Sequence, residues 1–144
     1  MTETQLEELS SSECRELLAS HHFGRVGFVD QVGVLPMIIP VNYLLHGGRV
    51  VFRTDTGSKL SAAVHGAPVA FEVDGIDEER RIGWSVVIRG HLEEVTDAAS
   101  LEQLRSTPLN VWAPGAKAHY LRVTVSQMSG RRISVAKLPD NWLG

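Results

Sequence analysis

The chain has one cysteine in 144 residues, Cys14. An internal disulfide is therefore excluded, and a reducing compartment is the expected setting. No apolar run approaches the ~20 residues of a membrane span. The acidic start, MTETQLEEL, lacks the apolar core of a secretory signal, so a cytoplasmic location is expected. Basic charge is not in excess: 14 Lys and Arg stand against 17 Asp and Glu, for a net charge of −3. That balance argues against a general nucleic-acid binder. The sequence has no G-x-G-x-x-G, no P-loop lysine pattern and no G-x-S-x-G elbow, which excludes the common dinucleotide, ATPase and serine-hydrolase signatures. Its six histidines, His21, His22, His46, His65, His91 and His119, show no zinc-type spacing, so no metal is expected.

What is present is ordinary globular composition, 43% hydrophobic and 22% charged. The length suits one domain, residues 1–144, able to bury a core without disulfides. Ser10 and Glu13 fit a capping box for a first, helical element. Cys14, Leu17 and Leu18 share one side of that helix, and Cys14 reads as a small buried hydrophobe. Gly24 suits a left-handed helix cap. Arg25 to Val29 alternates, with Val26 and Phe28 on one face. Val34 to Leu45 is a long apolar run broken by Pro36 and Pro40, as in a strand that bends or lies at a barrel margin. Gly47-Gly48 is a tight hairpin signal, and Arg49 to Arg53 is the returning strand.

Pro68 to Val73 alternates again. Asp74 to Arg81 reads as a solvated loop. Gly83 to Thr96 is a long strand in which Gly90 marks a bulge or close approach. Asp97 can cap a helix carrying Leu101 and Leu104. Pro108 to Gly115 is irregular, and in Ala118 to Val125 the residues Leu121, Val123 and Val125 share a face. QMSGRRISV is a possible extension of that strand. Short strands with small helices between them predict a mainly β, α+β fold: a β-barrel with peripheral helices.

The stretch FRTDTGSKL holds the densest chemistry. Arg53, Thr54, Thr56, Ser58 and Lys59 lie within a few residues, and Ser58 can cap a short helix ending at Gly66. Arg supplies a planar fork of donors and Lys a compact charge. Hydroxyls and a helix start add donors that favour an anion. The expected ligand is phosphorylated. Arg53 and Lys59 also fit plain surface charges, Asn42 an ordinary turn or bulge, and Trp84 core or interface packing.

The order of GRVGFV, P-x-x-x-P-V-N-Y, VVFRTDTGSKL, PVAFEVD and WSVVIRGHLEEV resembles the FMN-binding split β-barrel group related to pyridoxamine 5′-phosphate oxidase, in its small actinobacterial form. The likeness spans roughly residues 13–125. It implies a flavoprotein homodimer with FMN at each subunit interface. It implies that Val41, Asn42, Tyr43, Phe52, Arg53 and Thr54 line the ring and ribityl chain, and that Arg53, Ser58 and Lys59 hold the phosphate. It implies that Trp84 and Ser85 approach the cofactor from across the dimer. Hydride or electrons would pass through the flavin to a small organic substrate, with no side-chain nucleophile. A deazaflavin reductase, or a non-catalytic flavin or haem carrier, are the alternatives. The pyridoxal-phosphate-binding C-terminal section of the full-length oxidase has no counterpart, so pyridoxamine phosphate is not the expected substrate.

Overall fold

A computed structural model describes residues 3–29, 35–54, 67–107 and 119–136. In chain order they form β1 (Glu3–Glu8), α1 (Ser11–Ser20), β2 (Phe23–Val29), β3 (Pro36–His46), β4 (Arg49–Thr54), β5 (Pro68–Asp77), β6 (Ile82–Glu94), α2 (Ala98–Ser106) and β7 (His119–Ala136). The strands make one antiparallel sheet in the order β1-β7-β4-β3-β2-β5-β6, and β6 also pairs with β7. That last pairing closes β2 to β7 into a barrel. The structure is a split β-barrel with two described helices on its outside.

β7 is the organising strand. One of its edges pairs with β6 along most of its length. The other pairs with β4 through residues 119–122 and with β1 through residues 131–136. Alternation on the strands sends one face inward. Val26, Phe28, Tyr43, Phe52, Phe71, Val73, Val86, Ile88, Leu121 and Val123 are buried in one core cluster. Burying an aromatic such as Phe52 or Phe71 contributes about 1.5–3 kcal/mol. A second, smaller cluster lies outside the barrel wall, where Leu104 of α2 packs on Val51, Val95 and Tyr120.

Local signals act as the sequence predicts at several joints. The Ser10 Oγ accepts from the Glu13 N–H at 3.1 Å, and Glu13 Oε1 accepts from the Ser10 N–H at 3.2 Å. Gly47 and Gly48 turn with φ of +59° and +76°, the left-handed pair that a two-residue hairpin requires. Asp97 caps α2 by accepting from the Ser100 N–H at 3.0 Å.

Other expectations are corrected. The first element is β1, a strand, and not a helix. Gly24 is no helix cap; it lies inside β2, and α1 ends at His21 in extended backbone. A Cβ on Gly24 would lie 2.7 Å from both the Glu72 carbonyl oxygen and the Phe71 ring, so close strand packing explains this glycine. The loop expected over 74–81 is shorter, because β5 runs to Asp77. Arg89 pairs with Gln127 but Gly90 with Val125, so Ser126 bulges out of β7. The bulge shifts the inward parity: Leu121 and Val123 are buried before it and Gly130 after it, and Val125, which pairs with the buried Gly90, keeps the parity of Val123. The helix expected from Ser58 and the connection from Pro108 to Gly115 lie outside the described residues.

Candidate functional site

The hairpin β3–β4 carries most of the predicted residues, and register decides which side each one takes. Tyr43 pairs with Phe52. Both side chains are buried at the core, 1% and 0% exposed. The Tyr43 hydroxyl donates to the Leu18 carbonyl at 2.7 Å, tying α1 to the barrel, and its ring meets Phe71 edge-on at 5.1 Å. Burial pushes the Tyr43 phenol well above its usual range. A ligand on the outer surface can reach the backbone of Tyr43 and Phe52 but not their rings. Val41 also packs against the core, half-buried.

One step beyond that pair, Asn42 and Arg53 stand next to each other on the outer face of the adjacent strands, both half-buried. The Arg53 guanidinium lies over the Tyr120 ring of β7, 5.3 Å from its centre. Such a contact contributes about 0.5–1 kcal/mol at an exposed position and holds the guanidinium plane in place. Thr54 follows, 6% exposed, opposite His119, whose Nδ1 hydrogen-bonds the Glu94 carboxylate. Ser58 and Lys59 lie outside the described residues. The outer surface at Asn42 and Arg53 thus offers amide and guanidinium groups at a strand end, a donor set suited to a phosphate, while Thr54 takes the buried face of Phe52.

Trp84 and Ser85 are elsewhere. They open β6, where Ser85 pairs with Asp74 on one side and Arg131 on the other. Trp84 packs partly on the core, and its ring lies 4.7 Å from that of His21 at the end of α1. Gly75 makes room for the indole: a Cβ there would meet Nε1 at 2.5 Å. Beside them is a small, mostly apolar hollow of about 200 Å³ lined by Gly75, Ile76, Trp84, Ser85, Arg131 and Ile133.

The two groups meet β7 at different positions. Arg53 pairs with Tyr120 and Ser85 with Arg131, eleven residues further along β7. At about 3.3 Å per residue that is roughly 35 Å of strand. The end of α1 lies between the two sets: the Tyr43 N–H donates to the His22 carbonyl at 2.9 Å, and the neighbouring His21 ring lies 4.7 Å from Trp84.

Sequence reasoning passed over the outer faces of β5, β6 and β7. Arg25 of β2 pairs there with Glu72 and Asp74, at 3.0 and 3.3 Å. Burial, and then the neighbouring Asp74, hold the Glu72 carboxyl above its usual range, against the pull of Arg25. Further along, Ser85, Val87 and Arg89 of β6 face Arg131, Ser129 and Gln127 of β7. Every second residue of a strand shares a face. That rule would have linked Ser85 to Arg89.

Known proteins bear on this arrangement directly. The sequence signature of the family described as pyridoxamine 5′-phosphate oxidase matches residues 10–132. The chain belongs to that family. An uncharacterised protein of Mycobacterium tuberculosis is 38% identical over 131 residues, covering 88% of this chain and 84% of that one. The solved structure of an FAD-binding protein from Mycobacterium smegmatis has 34% identity and a TM-score of 0.74, covering 93% of this chain and 98% of the other. A Corynebacterium glutamicum protein provisionally described as a pyridoxamine 5′-phosphate oxidase has 29% identity and a TM-score of 0.76, covering 90% and 99%. In this pyridoxamine 5′-phosphate oxidase-family chain, no helix among the described residues is long and apolar enough to cross a membrane.

Proposed function

We propose that the protein is a flavin-binding oxidoreductase whose cofactor lies between two copies of the chain. The observation that carries this reading is the placement of Asn42 and Arg53 on the outer face of β3 and β4, where a ligand can lie on the surface of one copy and beneath another. A two-fold pair can bring Asn42 and Arg53 of one copy and Trp84 and Ser85 of the other to one ligand. Family membership and the FAD-binding relative at 34% identity support a flavin.

The residues fit that group. Arg53, with Ser58 and Lys59 following in sequence, would take the phosphate. The backbone of β3 and β4 from Val41 to Tyr43 and Phe52 to Thr54 would border the ribityl chain and ring. Trp84 of the second copy would cover the ring and exclude water. When bound, the flavin supplies the hydride or electron chemistry, and the protein supplies position and electrostatics. The substrate would be a small organic molecule.

The outer face also suits a second copy. Leu6, Ile133 and Ile76 are 60%, 44% and 77% exposed, and register sets them in one row across β1, β7, β6 and β5. Exposed apolar surface of this kind marks an interface. The test is to denature the purified protein and identify the released small molecule by mass and absorption. FMN or FAD near one per chain supports the reading. A protein that carries no flavin and takes none up overturns it.

A further inference from the structure

β6 and β7 share an outer groove whose far end sits at the bulge. There Pro68, Arg89, Gly90, His91, Ser126 and Gln127 line a hollow of about 500 Å³. A second hollow, of about 460 Å³, adjoins it, shares Arg89 and Gln127, and continues along Val87 and Ser129 to Ser85 and Arg131. The groove therefore leads from the Trp84–Ser85 hollow to His91 without a break in its lining.

Its charge is one-sided. Elsewhere on the sheet Arg25 is held by Glu72 and Asp74, Arg122 by Glu93, and Arg132 by Glu7 and Glu13. Arg89 and Arg131 have no carboxylate partner among the described residues. Arg89 Nη1 instead donates to the Gln127 Oε1 at 3.3 Å, a neutral contact that orients the guanidinium and leaves its charge uncompensated. The bulge at Ser126 turns that side chain, with Gln127 and the exposed His91, toward the same hollow. Bulges re-aim side chains in this way. A guanidinium with an imidazole, a hydroxyl and an amide around an open hollow is a donor set for an oxyanion.

We propose that Arg89, His91, Ser126 and Gln127 form a second anion subsite, which takes a phosphate or carboxylate carried by the far end of the bound ligand or by the substrate. Its place follows from the flavin reading, on which it rests: Arg89 lies four residues from Ser85 on the same face of β6, about 13 Å along the strand. Two sources share this chemistry. One is the adenylate half of a dinucleotide flavin. The other is a separate anionic substrate.

The experiment measures FMN, FAD and inorganic pyrophosphate binding to the full chain, wild type against Arg89→Ala and Arg89→Lys. If the subsite holds the adenylate half, Arg89→Ala weakens FAD at least tenfold, leaves FMN within about twofold, and Arg89→Lys recovers part of the loss. If it holds a separate substrate, both flavins bind Arg89→Ala normally, and pyrophosphate binding to the flavin-loaded protein is lost. Failure of the flavin reading is distinguishable, because pyrophosphate can be titrated without flavin: Arg89-dependent binding then sustains the subsite alone. Equal flavin affinities together with no Arg89-dependent pyrophosphate binding overturn it. Thermal midpoints of the variants, expected to match wild type because Arg89 is exposed, separate these results from misfolding.

Discussion

Arg53 and Ser85 sit against the same strand, β7, at positions eleven residues apart, Tyr120 and Arg131. On the proposed reading, this arrangement serves one flavin from two copies of the chain. It also divides the expected mutational effects into two classes, one at each end of β7.

At the first end, Arg53→Ala is expected to weaken flavin binding by roughly 10- to 100-fold, since a charge-assisted hydrogen bond contributes about 1.5–3 kcal/mol. Arg53→Lys should recover only part of this, because Lys lacks the fork that lies over Tyr120. Tyr120→Leu, which removes the ring beneath the guanidinium, should cost less than Arg53→Ala. Quenching of FMN fluorescence measures all three; affinities indistinguishable from wild type would move the phosphate elsewhere.

At the second end, Gly75→Ala should displace the Trp84 indole, because the new methyl would sit 2.5 Å from Nε1. Displacing an indole from its bed is expected to destabilise the fold by about 1–3 kcal/mol. Flavin affinity should fall as well, although Gly75 lies on a strand remote from Arg53. Urea unfolding and flavin titration of this one variant check both effects. A fall in stability with flavin affinity unchanged would show Trp84 to be packing only.

Tyr43→Phe tests the assignment of Tyr43 to the core. It removes the hydroxyl that satisfies the buried Leu18 carbonyl and should cost about 1–3 kcal/mol. Flavin affinity should stay near wild type, because that side chain points inward. A large loss of flavin affinity at unchanged stability would contradict the inward placement.

The capping box gives a pH dependence with a definite sign. Hydrogen bonds with Ser10 hold the Glu13 carboxyl below its usual 4.5. A lowered carboxyl stabilises the fold above its unfolded pKa, and the gain is lost as pH falls through the folded value. Asp97, lowered from 3.8 by its bonds to Ser100, acts in the same direction at lower pH. Glu72, raised, acts oppositely, its cost being relieved by acid. Ser10→Ala should therefore cost about 1 kcal/mol near neutral pH and less once the pH is well below 4.5. Urea midpoints at the two pH values measure this. A cost that does not shrink in acid would separate Glu13 from the cap.

Much of this fold was legible because its joints use local chemistry. Ser10, Gly47-Gly48 and Asp97 each need only their sequence neighbours to act. β1 was not legible: Glu3–Glu8 has Leu6 as its one large apolar residue, and it is a strand because β7 offers an edge at residues 131–136. Tertiary pairing overrides weak propensity there. Gly24 carried a helix-cap signal, but the crowding by Phe71 and Glu72 that explains it comes from β5, 47 residues and more away. The β7 bulge at Ser126 hid the change of inward parity from Leu121 and Val123 before it to Gly130 after it. At the site, the motif located β3 and β4, but register was needed to show that Tyr43 and Phe52 point inward and Asn42 and Arg53 outward.

The central claim, one flavin held by Arg53 of one copy and Trp84 of another, is tested most directly by subunit complementation. Arg53→Ala and Trp84→Ala are purified separately, each expected to bind flavin poorly, then unfolded together and refolded as an equal mixture. Random pairing should restore about a quarter of the wild-type number of high-affinity sites, since each mixed pair rebuilds one intact site of two. Flavin titration of the mixture counts them. A mixture that binds no better than its two components would contradict a site shared between copies.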